Sequence, residues 1–95
     1  MSIVWSKLAL ADLRNIKAYI ANDNPNAASR VVKTIIIHVE SQLGIFPASG
    51  RTGRVKGTHK FAIPRSPYIV IYRLKDKQID IVRIHHTSRL WPEDL

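Results

Sequence analysis

Ninety-five residues, 45% of them hydrophobic and none a cysteine, are enough for one domain spanning 1–95 with a single core, and they exclude disulfide frameworks and thiolate metal sites. Fifteen Lys and Arg against seven Asp and Glu give a net charge of +8, which draws in polyanions, and the excess is uneven: residues 1–48 hold five basic and three acidic residues, residues 49–92 ten and two. No apolar run approaches the roughly 20 residues that span a bilayer, and the N-terminus lacks the marks of a signal peptide, so the expectation is a cytoplasmic protein with no membrane partner.

Ile3, Val4 and Trp5 form a short apolar opening suited to a first strand. Ser6 then offers a side-chain oxygen to cap a helix whose apolar stripe is Ala9, Leu13, Ile16 and Ile20. The breaker cluster Ala21-Asn22-Asp23-Asn24-Pro25 ends it and starts another, with Asn24 as N-cap and Pro25 at the first helical position. The spacing predicts a second helix from about Asn26 to Leu43, apolar along Ala28, Val31, Val32, Ile35, Ile36, Val39 and Leu43, stopped by Gly44 and Pro47. His38, alone on this helix, is given no role.

From Phe46 to Lys60 the chain is a loop in which Arg51, Arg54, Lys56 and Lys60 fall among Gly50, Gly53 and Gly57. Backbone N–H groups and cations in such a loop suit a phosphate, although the spacing matches no Walker or dinucleotide pattern; a mobile solvated connection is the competing reading. Phe61 to Ile63 alternates as a strand, ended by Pro64 and followed by Arg65. Tyr68–Leu74 and Ile79–Ile84, rich in β-branched and aromatic residues, read as a hairpin about the charged turn Lys75 to Gln78.

The order is β-α-α-β-β-β, an α+β domain in which a small antiparallel sheet carries the N-terminal helical hairpin on one face. By alternation Tyr68, Val70, Tyr72, Val82 and Ile84 meet the helices. Ile69, Ile71, Arg73, Ile79, Ile81, Arg83 and His85 share the less buried face, since a buried guanidinium without a partner is costly. Adjacent histidines on a strand point to opposite faces, and no neighbouring acid or thiol completes a ligand set, so neither a metal nor any other cofactor is expected.

The opening Val4-Trp5-Ser6 with Ala9 and Asp12-Leu13, the segment Gly50-Arg51 through Gly57-Thr58, the strand PYIVIYRL and the ending IVRIHH…WP together resemble the RelE/ParE superfamily of toxins from bacterial type II toxin–antitoxin modules. The resemblance implies a compact sheet with a helical hairpin, growth arrest, and neutralisation by a cognate antitoxin, expected to be acidic. It also divides by mechanism. RelE-like members cut messenger RNA on the ribosome, and that branch often carries an arginine directly after the tyrosine of the PYIVIYRL strand. Here Tyr68 is followed by Ile69, and the arginine comes later, at Arg73, as in the ParE-like branch, which generally poisons DNA gyrase. The favoured expectation is therefore gyrase inhibition without catalysis, with Arg51, Arg54, Lys56, Arg65, Arg73, Arg89 and Trp91 as target- or phosphate-binding residues. The alternative is a metal-independent, ribosome-dependent mRNA endonuclease, with His85 and His86 as the acid/base pair and Arg83 on the phosphate. A plain nucleic-acid-binding module is a third class, weakened by the lack of aromatics interleaved on the basic loop.

Overall fold

The computed structural model describes residues 2–87. Its elements are β1 (Ser2–Trp5), α1 (Lys7–Ala21), α2 (Pro25–His38), a π-helical turn (Val39–Leu43), β2 (Arg51–Thr52), β3 (His59–Ala62), β4 (Tyr68–Lys75) and β5 (Gln78–His86). The α+β architecture with its helical hairpin is as expected. The five strands order as β1-β5-β4-β3-β2. All neighbours are antiparallel except β1, which runs parallel to β5, so the sheet is mixed. The short link Asn22 to Asn24 turns α1 back as α2, and the Asn24 side chain accepts from the Ala27 N–H.

The helices cover one sheet face. Ala9, Leu13 and Ile16 from α1, Ile35 from α2, and Val39 and Leu43 from the π turn bury against Tyr68, Val70, Tyr72, Ile79, Ile81 and Ile84. The helix expected to run to Leu43 as one α-helix widens at Val39, where the Ser41 hydroxyl donates to the Ile37 carbonyl. The wider turn keeps Ile35, Val39 and Leu43, each four residues apart, directed at the sheet.

A bulge in β5 corrects the face assignment. Tyr72 pairs with Ile81 but Ile71 pairs with Arg83, so Val82 is an extra residue and the alternation flips there. Ile79 and Ile81, expected on the less buried side, are fully buried against the helices, and Val82, expected inward, is only half-buried. Past the bulge Ile84 faces the core, as expected, and Arg83 and His85 fall in register with the outward Ile71 and Ile69. Ser6 anchors the bulge: its N–H donates to the Ile81 carbonyl at 3.0 Å, and its hydroxyl donates to the Val82 carbonyl at 2.8 Å while accepting from the Ala9 N–H.

Candidate functional site

β1 is too short to cover the whole outer edge of β5, and beyond Ile81 the edge needs other partners. Ser6 supplies them for two carbonyls, and Asp12 on α1 supplies the next. One Asp12 carboxylate oxygen accepts from the Ile84 N–H at 2.9 Å and from Arg83 Nε at 2.9 Å; the other accepts from Arg83 Nη2 at 3.0 Å. Arg83 directly follows the bulge residue Val82, and its guanidinium is held in this two-pronged grip. Asp12 is only 9% exposed, and its hydrogen bonds to Arg83 raise the guanidinium's already high pKa further. Arg83 is thus an ion-paired strut between helix and sheet.

Beside this strut lies a pocket of about 150 Å³ lined by Asp12, Asn15, Ile16, Tyr68, Arg83, Ile84 and His86. His86 meets Tyr68 edge-on, with ring centroids 5.4 Å apart. Its neighbour His85, which alternation placed on the open side, is buried at 8% exposure and pairs across the strands with Ile69. The two histidines therefore stand on opposite faces and do not converge on one reacting atom. Among the described residues no group of three His, Cys, Asp or Glu side chains is placed to hold a metal ion.

On the face away from the helices the pairing brings together two rows. Arg51, Lys60 and Ile71 lie side by side across β2, β3 and β4, in register with the backbone of Arg83, whose side chain goes to Asp12; Ala62, Ile69 and His85 form the next row. Toward the β4–β5 turn, Arg73 pairs with Asp80, which lies opposite Val4. Asp80 is held below the usual carboxylate range by a hydrogen bond from Gln78 and by Lys75, 3.0 Å away. The result is a short apolar strip of Ile69 and Ile71 with Lys60 and Arg51 beside it, and Val4 stands apart from it across Asp80.

The glycine-rich loop is built against this sheet and is no loose connection. The Tyr72 hydroxyl accepts from the Gly50 N–H and donates to the Pro47 carbonyl, each at 2.9 Å. Burial raises its pKa, opposed by the Gly50 hydrogen bond. A side chain at Gly50 would collide with that hydroxyl, which is why glycine stands there. The Gly53 N–H donates to the Thr58 carbonyl, the Thr58 N–H and hydroxyl both donate to the Val55 carbonyl, and Gly57 turns the chain at φ +82°. Arg73 Nη1 donates to the Lys56 carbonyl at 3.2 Å, bracing the turn that carries Arg54 and Lys56.

Of the residues singled out in the sequence, Arg51, Arg54 and Lys56 are exposed on this braced loop, and Arg65 is exposed at the β3–β4 connection with φ +60°. Arg89 and Trp91 lie outside the described residues. Asp12 and the second role of Ser6 were missed, yet Asp12 leaves a signal. It sits three residues after Ala9 and four before Ile16, a lone carboxylate on the apolar stripe, and such a group needs a buried partner. Lys60 belongs with Arg51 and is found only through strand register.

The family model described as the ParE toxin of the type II toxin–antitoxin system parDE matches residues 3–91. The Y4kP protein of Sinorhizobium fredii is 41% identical over 93 residues, 98% of this chain and 95% of that protein. Toxin RelE2 of Caulobacter vibrioides is 35% identical over 88 residues, 93% of this chain and 97% of that protein. Among solved structures, one of the chromosomal ParDE toxin–antitoxin system from P. aeruginosa matches with a TM-score of 0.81 and 31% identity, covering 93% of this chain and 97% of that one. The RelBE2 toxin–antitoxin complex from Mycobacterium tuberculosis matches with a TM-score of 0.66 at 21% identity, over 90% and 95% of the two chains, a likeness of fold.

Proposed function

The chain belongs to the ParE toxin family of type II toxin–antitoxin systems, and from that premise we propose that it arrests growth by inhibiting DNA gyrase and is held in check by a cognate acidic antitoxin. The observation that carries the choice of target is what has become of the nuclease machinery. Cleaving RNA without a metal needs an unengaged cation at the phosphate and a proton-transfer group beside it. Here Ile69 occupies the position after Tyr68, Arg83 is committed to Asp12, and His85 is buried on the face opposite His86. What remains is a surface suited to gripping a partner.

The antitoxin reading rests on the open face. A strip of Ile69 and Ile71 bordered by Lys60, Arg51 and Arg73 suits a segment that is apolar on one side and acidic on the other, folding as it binds. The solved neighbours are themselves toxin–antitoxin systems. Co-expression with the adjacent reading frame followed by pull-down tests this; failure to co-purify and to relieve growth arrest removes the antitoxin. One observation favours the second reading, ribosome-dependent mRNA cleavage: Tyr68, Arg83 and His86 line a single pocket. If that pocket is catalytic, His86→Ala abolishes cleavage by about 10²–10⁴-fold while the melting temperature holds.

A further inference from the structure

We propose that the β2–β3 edge of the sheet is a binding surface for the phosphate backbone of duplex DNA, formed by Arg51, Lys60, Arg54 and Lys56 and braced by Arg73. This deepens the gyrase reading, on which it rests for the DNA it contacts.

Arg51 and Lys60 stand directly opposite each other in antiparallel register, and both are exposed. Like charges so placed repel and weaken a strand pair, and this pair is only two residues long. Among the described residues neither has an acidic partner within ion-pair distance; the ion pairs present are Lys75–Asp80 and Arg83–Asp12. None is supplied locally in sequence either, because residues 41–75 contain seven Lys and Arg and no Asp or Glu. A local rule broken in a region so heavily braced marks a surface shaped for an external anion. The Tyr72 hydroxyl, the Gly53–Thr58 pairing and the Arg73 contact to the Lys56 carbonyl fix the backbone that carries the cations before any ligand arrives.

The arrangement also selects the ligand. The cations spread along an edge instead of converging on one point, which fits a polyanion better than a single phosphate. Between residues 48 and 60 the only ring is His59, stacked on the buried Tyr72, so no aromatic platform is offered to unstacked bases and a duplex is favoured over a single strand. The surface lies at the opposite edge of the sheet from the Asp12–Arg83 strut.

The test is fluorescence anisotropy of the full chain with a labelled duplex of about 20 bp, without gyrase, from about 50 to 200 mM salt. Four phosphate contacts give a slope of log K against log salt near −3 to −4, roughly a hundredfold loss of affinity over that range. Lys60→Glu is expected to weaken binding at least about tenfold and flatten the slope by about one, while raising the melting temperature, because Arg51 then faces an opposite charge. A merely structural Lys60 would not move the two readouts in opposite directions. Lys33→Glu, the same charge change on exposed α2, is expected to leave affinity within about threefold. No binding, a slope shallower than about −1, or equal losses in the two variants would overturn the proposal. So would antitoxin binding lost in Lys60→Glu with DNA binding unmoved, which assigns the surface to an acidic protein. DNA binding by a chain that leaves gyrase untouched upholds the surface and sinks the gyrase reading; gyrase inhibition by a chain that binds no duplex does the reverse.

Discussion

Replacing Asp12 with alanine removes the acceptor for three hydrogen bonds at once, from Arg83 Nε, Arg83 Nη2 and the Ile84 N–H. The Ile84 N–H is left without a partner in a buried strand, at a cost of about 1–3 kcal/mol. Arg83 loses its counter-charge, and breaking a fully buried ion pair from one side costs about 3–5 kcal/mol. The Arg83 side chain is 21% exposed, so water reaches it and the low end applies. Taking the low end of both terms, a combined loss of about 4 kcal/mol lowers the melting temperature of a domain this size by roughly 15–30 °C. Arg83→Met should cost less, because Asp12 keeps its bond from the Ile84 N–H. The double variant Asp12→Ala/Arg83→Met should fall short of the sum by about 1 kcal/mol or more, since each single change strands the other's partner. Urea melts of the four proteins at low and high salt measure this. An Asp12→Ala variant within about 0.5 kcal/mol of the parent, or strictly additive losses, would show that the strut does not hold α1 to β5.

Ile35→Asp places an unpaired carboxylate at a side chain 1% exposed between helix and sheet, and circular dichroism should find the variant unfolded. Tyr72→Phe strands the Gly50 N–H and the Pro47 carbonyl, a cost of about 1–2 kcal/mol in chemical denaturation. The same variant tests a pH dependence. The folded-state Tyr72 pKa is raised, so above pH 10 the unfolded chain releases the phenolic proton first and stability falls as pH rises toward the folded value; that alkaline loss should shrink in the phenylalanine variant. Arg65 holds a left-handed φ of +60°, and Arg65→Gly should stabilise the fold by roughly 0.5–1 kcal/mol, with weakened target inhibition if Arg65 touches the target.

The caps, the two helices and the β4–β5 hairpin are legible because each is written locally: Ser6 and Asn24 precede periodic apolar runs, and Lys75 to Gln78 separates two β-branched stretches. The parallel placement of β1 is not local. Nothing in Ile3-Val4-Trp5 names a partner 76 residues away, and only the full topology brings it beside Ile79 to Ile81. The bulge is different. Ile79-Asp80-Ile81 and Val82-Arg83-Ile84-His85 each alternate, and the two apolar residues in a row at Ile81-Val82 mark the phase slip that the Ser6 hydroxyl on the Val82 carbonyl fixes in the structure; reading the strand as one alternating run passes over it. The slip matters for the core, since it puts Ile79 and Ile81 against the helices while Arg83 stays in register with Ile71; the Asp12 grip on Arg83 is a separate contact 71 residues away that strand patterning does not announce. The cationic loop was readable as charge, but its rigidity depends on the Tyr72 hydroxyl reaching back 22 residues to Gly50, which composition does not encode.

The measurement that bears most directly on the account is a gyrase supercoiling assay with the purified chain, run beside primer extension on mRNA being translated in vitro. A gyrase inhibitor whose nuclease positions are filled by Ile69 and by the Asp12-bound Arg83 should block supercoiling or trap cleaved DNA, be relieved by its antitoxin, and leave the message intact. Codon-positioned mRNA cuts that vanish in a folded His86→Ala variant, with gyrase unaffected, would contradict it.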